Sequence, residues 1–171
     1  MTLLMTSTPL AMQSDGHSFD DSAFVIQWHA LAMFGPSFFT GSLIARFGVR
    51  RIILTGICLN LSCLIFGLIG TGVWYYWTAL VCLGLGWNFM FVGSTTMLTY
   101  TYSSEERFGA QAVNDFFVFG TTAAGSLLAG TIMYAFGWFT TVITPIPLLI
   151  IVLTATFLVR QDPRLTRAQA G

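Results

Sequence analysis

Gly41-Ser42-Leu43-Ile44-Ala45-Arg46-Phe47-Gly48-Val49-Arg50-Arg51 is a short basic turn set between two long apolar runs. Glycine permits a tight bend and arginine anchors a chain at the inner face of a membrane, so the turn reads as a reversal between two spanning helices. The pattern extends outward along the chain. All seven basic side chains are arginines, grouped as Arg46, Arg50 and Arg51, then Arg107, then Arg160, Arg164 and Arg167. Each group lies about two spans from the next, so a chain that crosses a bilayer after every turn returns all three to one face. That is the distribution of a polytopic membrane protein with its arginine turns inside.

Composition agrees. Of the 171 residues 55% are hydrophobic and 8% charged, where soluble domains carry about a quarter charged residues. A formal net charge of zero and the lack of a basic patch interleaved with aromatics argue against nucleic acid as a partner. There is no lysine, so no phosphate-binding loop of the nucleotide-hydrolysing kind exists in this sequence. His17 and His29 have no spacing to further metal ligands, and the serines within apolar runs lack an acid-base partner, so the sequence does not read as an enzyme. Cys58, Cys63 and Cys82 all lie inside apolar runs, where a thiol behaves as a small hydrophobe. Neither a disulfide, a metal nor a cofactor is expected.

A spanning helix needs about 20 mostly apolar residues. Five segments qualify: Phe24 to Ala45, Ile52 to Ile69, Val73 to Tyr100, Val113 to Phe136 and Phe139 to Val159. The third is long for one span and has aromatics at both ends, Trp74 to Trp77 and then Tyr100 and Tyr102, as interfacial anchoring predicts. Pro36 is expected to kink the first span near its middle. Gly70-Thr71-Gly72 and Gly137-Trp138 are tight, uncharged turns that belong outside. Ser103 with Glu106 three residues later resembles a capping box, so a new helix should start between Ser103 and Arg107. Residues 161–171 are a polar tail containing Pro163, expected to be a frayed cytoplasmic end.

The N-terminal stretch departs from this pattern. Residues 1–12 are apolar but only about half a span long, contain Pro9, and precede a polar stretch, 13–22, that carries Asp15, Asp20 and Asp21. They lack the basic start of a signal peptide. The stretch reads as the outer half of a helix whose inner half is absent, with 13–22 as an external loop and 23–160 as a five-helix membrane domain.

The basic turn resembles the loop signature of the major facilitator superfamily, G-x-L-x-D-R-x-G-R-R/K. Gly41, Leu43, Arg46, Gly48 and Arg50 match it, whereas Ala45 stands where the acid belongs and Val49 where the first of the paired basic residues belongs. In that family a degraded copy is typical of the second half of the protein. The Glu105-Glu106-Arg107 turn is similar to the acidic-basic turn before the family's penultimate span. The resemblance implies an all-α, C-terminal six-helix bundle in which the stub is part of the seventh helix and the five spans are the eighth to twelfth. Gln27-Trp28-His29, Gly35 to Gly41 and Asn114-Asp115-Phe116 look like a bacterial subgroup that includes proposed riboflavin importers.

Polar groups inside a span are costly and therefore candidates for function. Asn88, beside Trp87 and close to Gly84 and Gly86, is a candidate substrate contact or an amide glued to a neighbouring helix; sequence leaves both open. Gln27 and Phe34 join Trp87 and Asn88 as candidate substrate contacts. His29 and Asp115 are candidates for proton coupling, with an interfacial histidine and an acid near a helix N-terminus as the plainer readings. Gly120, Ala124, Gly125 and Ala129 form a small-residue packing face. The resemblance implies secondary transport of a small solute across the cytoplasmic membrane by alternating access, with residues 13–22 outside and the C-terminus inside. The implied partners are the lipid bilayer, a small-molecule substrate, and an N-terminal half or a second copy. Without such a half, the chain would be a nontransporting membrane protein or an interaction partner.

Overall fold

A computed structural model describes residues 1–103 and 105–158. Val159, the expected end of the fifth span, Arg160, and the tail at 161–171 with Arg164 and Arg167 lie outside the described residues. Every described element is a helix: α1 (Thr2–Ser14), α2 (Phe19–Phe34), α3 (Ser37–Phe47), α4 (Val49–Ile69), α5 (Val73–Thr99), α6 (Arg107–Ile143) and α7 (Ile146–Leu158). Three stretches are long and apolar enough to cross a membrane: Val49–Ile69, Val73–Thr99 and Arg107–Leu158. The third doubles back at Gly137, whose φ of 76° and ψ of 179° lie outside the helical region. The first predicted span is divided into α2 and α3, because Pro36 has no N–H to continue the ladder and Gly35 and Pro36 form a turn there.

Packing fixes the direction of each helix. Ser7 donates to the Ala129 carbonyl at 3.2 Å, and Gly125 faces Thr2 and Leu3, so α1 and α6 run parallel. Trp138 Nε1 donates to the Gly67 carbonyl at 2.7 Å, Val142 packs with Cys63 and Leu64, and Val152 and Leu153 pack against the Ile52–Ile57 stretch. The chain beyond Gly137 therefore runs antiparallel to α4. Arg46, Arg50, Arg51 and Arg107 consequently share one end of the bundle, and Asp15, Asp20 and Asp21 the other. The arginine arithmetic of the sequence holds for all four described arginines.

Helix α5 is the centre of the bundle, and glycines make it so. A Cβ on Gly84 would stand 2.7 Å from the His29 carbonyl oxygen of α2, and one on Gly86 would stand 2.8 Å from the Gly56 carbonyl oxygen of α4. Backbone therefore closes on backbone on two sides of α5, with the Asn60 amide also set against Gly86, the close approach that small residues allow when lipid supplies no hydrophobic drive between helices. Three apolar clusters fill the remaining space. Leu4, Cys63, Leu64, Leu83 and Val142 form one; Met12, Val25, Tyr76 and Leu80 another; and Ile44, Ile52, Ile53 and Ile57 a third at the arginine end.

One helix start differs from the sequence reading, and a second differs in how it is capped. α2 begins at Phe19, ahead of the apolar run at Phe24, because Ser18 and Asp21 form a reciprocal capping box. The helix after the arginine-bearing loop begins at Arg107, within the expected stretch. There Ser103 makes only half of a box: its N–H and hydroxyl donate to the Glu106 carboxylate at 3.1 and 3.0 Å. Glu106 itself is the N-cap, so Ser103 closes a turn before the helix and does not cap it.

Candidate functional site: an aromatic pocket beside a broken helix

Where α2 and α3 meet, the break at Gly35–Pro36 opens a pocket against α5 with a volume of about 450 Å³. Trp28, Gly35, Pro36 and Phe39 form one wall, and Trp77, Val81, Leu85 and Phe89 the other. The α5 residues recur every fourth position, a stripe along one helix face. A Cβ on Gly35 would stand 2.8 Å from the Leu31 carbonyl oxygen, so glycine lets the end of α2 close tightly at this wall. Above the pocket four aromatic rings close a cycle of edge-on contacts: Phe24 with Trp28 at 6.3 Å, Trp28 with Trp77 at 5.9 Å, Trp77 with Trp74 at 5.9 Å, and Trp74 with Phe24 at 6.5 Å. Such a slot offers dispersion and ring edges to a flat apolar surface. The indole N–H of Trp77, buried in this wall, has no hydrogen-bond partner among the described residues.

Asn88 lies on the neighbouring face of α5 and is 1% exposed. Its Nδ2 donates to the Met33 carbonyl at 2.8 Å and to Ser37 Oγ at 2.6 Å. Its Oδ1 lies 2.7 Å from Thr40 Oγ1, which is also 2.8 Å from the Pro36 carbonyl. The atom beside the Met33 carbonyl must be the amide nitrogen, since two carbonyl oxygens would repel, so the amide's orientation is fixed by its surroundings. All of its polar atoms are thus engaged with α2 and α3.

His29 is fully buried, and its Nδ1 lies 2.8 Å from the Leu80 carbonyl, to which it donates. That bond leaves Nε2 as an acceptor, and it is buried without a partner among the described residues. Gln27 and Phe34 are exposed on α2, Phe34 at 62%, and neither lines the pocket. Trp87 is half-buried and stacks on Phe91 with ring centroids 4.7 Å apart. Asp115 is exposed on α6 at the arginine end, accepts from Asn114 Nδ2 at 3.2 Å, and is not part of the pocket. The candidates therefore do not converge on one cavity. Val81 and Leu85 escaped the sequence reading, although the four-residue recurrence from Trp77 to Phe89 that contains them is visible in it.

The basic turn has the geometry its residues require. Gly48 has a φ of 87°, which places the bend between α3 and α4 in the left-handed region that favours glycine. Arg46 Cζ lies 5.3 Å from the Phe47 ring centre and Arg50 Cζ lies 5.2 Å from that of Phe157, so the arginines sit over aromatic faces. Gly41 faces open space and Leu43 contributes to the pocket.

The sequence pattern of the Major Facilitator Superfamily matches residues 1–171. The chain is 45% identical over 170 residues to a protein of Brucella anthropi named riboflavin transporter RfnT, covering 99% of this chain and 42% of that protein. It is 33% and 32% identical over 135 residues to YdeG and YddS of Bacillus subtilis (strain 168), both described as uncharacterized MFS-type transporters, covering 78% of this chain and 31% of each. The chain thus spans less than half the length of the curated relatives it matches. No solved structure matches it. With a family match along the whole chain and apolar helices that cross and recross, this multi-pass membrane protein belongs to the major facilitator superfamily.

Proposed function

We propose that the chain is the C-terminal half of a secondary transporter that moves a small organic solute across the cytoplasmic membrane by alternating access. The observation that carries the reading is the family match over residues 1–171, in a helical half built around an aromatic pocket. In this mechanism the half rocks against an N-terminal half, or against a second copy, about a site near the membrane midplane. The arginine turns face the cytoplasm and residues 13–22 face outward, as the positive-inside rule requires.

The flat part of the solute stacks between the walls of Trp28, Phe39, Trp77 and Phe89, while Gln27, Phe34, Trp87 and Asn88 shape or border its path. His29, with one ring nitrogen free, is the proton-coupling candidate nearest the pocket wall, and Asp115 the second. Riboflavin is the first probe, because the Brucella anthropi relative carries that name. The test is uptake of labelled riboflavin by cells whose own uptake is deleted, expressing this chain joined to its N-terminal counterpart. Saturable uptake that Leu85→Trp abolishes supports the reading. Saturable uptake indifferent to a filled pocket would move the site elsewhere, and no uptake of riboflavin or of other flat solutes would remove it.

A further inference from the structure

We infer that Asn88 is a positioning residue: with Ser37 and Thr40 it clamps the Gly35–Pro36 break against α5, so that α2, α3 and α5 move as one body. Its influence on a solute then passes through the shape of the pocket. The effect on uptake rests on the transport reading above; the clamp itself does not.

The break creates the need for a clamp. Pro36 offers no N–H to the turn before it, and carbonyls at the end of α2 lie at membrane depth, where water cannot satisfy them. Asn88 supplies donors from the next helix, to Met33 O at 2.8 Å and to Ser37 Oγ at 2.6 Å, one on each side of the break. Thr40, fully buried one turn into α3, closes the circuit, its single hydroxyl proton facing Asn88 Oδ1 and the Pro36 carbonyl. A hinge at Gly35–Pro36 would have to give up these bonds each time it bent. Asn88 is 1% and Thr40 0% exposed, so the inner part of the circuit is shut off from solvent, while Ser37 stands at its exposed edge.

The clamp also sets the pocket. Gly35, Pro36 and Phe39 belong to one wall, Leu85 and Phe89 to the other, and Asn88 joins the two elements between them. Asn88 therefore helps set the separation of the walls at the break, below the backbone contact of α2 with Gly84. A substrate-contacting amide would need a free donor or acceptor, and both N–H groups of Asn88 are already committed to the protein.

The experiment is hydrogen–deuterium exchange of the full transporter in lipid, followed by mass spectrometry of peptides covering residues 33–40, with uptake measured in parallel. Asn88→Leu should speed exchange in that segment about tenfold while α4 is unchanged, the size expected for losing hydrogen bonds around one turn. Thr40→Val and Ser37→Ala, each removing one bond, should act in the same segment more weakly and serve if Asn88→Leu does not assemble. In uptake, Asn88→Leu should raise KM more than it lowers the maximal rate. Unchanged exchange in all three variants overturns the clamp, as does faster exchange spread evenly over the whole chain. Lost uptake with exchange unchanged would make Asn88 a direct contact instead. If even the parent protein takes up no solute, the transport reading fails while the exchange data still decide the clamp.

Discussion

The Tyr76 hydroxyl donates to the Asp15 carboxylate across 2.6 Å, joining the end of α1 to the first turns of α5 over 61 residues of sequence. Trp138 packs on the same tyrosine, with ring centroids 5.2 Å apart. One side chain therefore gathers α1, α5 and the turn after Gly137 at the acidic end of the bundle. Tyr76→Phe keeps the packing and removes the bond. It should destabilise the purified protein by about 1 to 2 kcal/mol, read as a lower thermal midpoint in detergent. An unchanged midpoint would mean that water serves Asp15 as well as Tyr76 does.

Close helix contact at glycine makes a second expectation. Gly84→Ala would push a methyl to 2.7 Å from the His29 carbonyl oxygen and 3.1 Å from the Met33 nitrogen, both backbone atoms that yield only if α2 moves. A loss of about 1 to 3 kcal/mol follows. Gly120→Ala, on α6 with nothing within 4 Å, should be neutral or gain up to about 1 kcal/mol from helix propensity. Equal effects at the two sites in thermal melts would refute the backbone-contact account.

The capping box at the start of α2 responds to acid. The Ser18 hydroxyl donates to Asp21 Oδ2 at 2.6 Å and the Ser18 N–H at 3.1 Å, and these bonds hold the carboxyl below its ordinary range. Because its folded-state pKa is depressed, the contribution is fully present above the ordinary carboxylate value and is lost as pH falls through the depressed one. Asp21→Asn should therefore melt below the parent near neutral pH and converge with it as pH falls below the ordinary carboxylate value. Parallel curves through that fall would exclude a role for this carboxylate in starting α2.

The pocket predicts its own blockade. Leu85→Trp places a large ring between the walls of Phe39 and Trp77; on the transport reading proposed above it should cut at least tenfold whatever saturable uptake of the riboflavin probe the parent shows, while membrane levels stay constant. Leu85→Ala enlarges the pocket and should relax selectivity among flat solutes, measured by competition of unlabelled analogues against riboflavin.

Much of this architecture was legible in the residues. The apolar run at Val73, the paired glycines before it and the aromatics at its ends anticipated α5 as Val73–Thr99 almost to the residue, since length and interfacial anchoring are local properties. Gly48, Gly137 and Pro36 announced the two turns and the break for the same reason: each constrains its own backbone. Ser18 and Asp21 followed the capping spacing and were passed over because they stood in a stretch read as loop. The role of Asn88 could not be read in advance. A lone amide on an apolar helix serves a solute or a neighbouring helix according to which face meets what, and that depends on the close approach of α2 at Gly84. The bond from Asp15 to Tyr76 was hidden likewise, by the 61 residues between them.

The bare contacts of α5 at Gly84 and Gly86 also determine how a displacement spreads. Long side chains between helices act as soft springs: they change rotamer and absorb a small push before it reaches the next backbone. At Gly84 and Gly86 that cushion is thin, for the carbonyl oxygens of His29 and Gly56 come within 2.7 and 2.8 Å of where a Cβ would stand, and beside Gly86 only the short Asn60 amide intervenes. A shift of α2 is handed to α5, and from α5 to α4, with little lost on the way. Compliance is left to the periphery, where Phe38, Phe116, Leu127 and Tyr134 stand largely exposed. A stiff spine with a yielding rim carries a small strain at the pocket to the arginine turns at its far end.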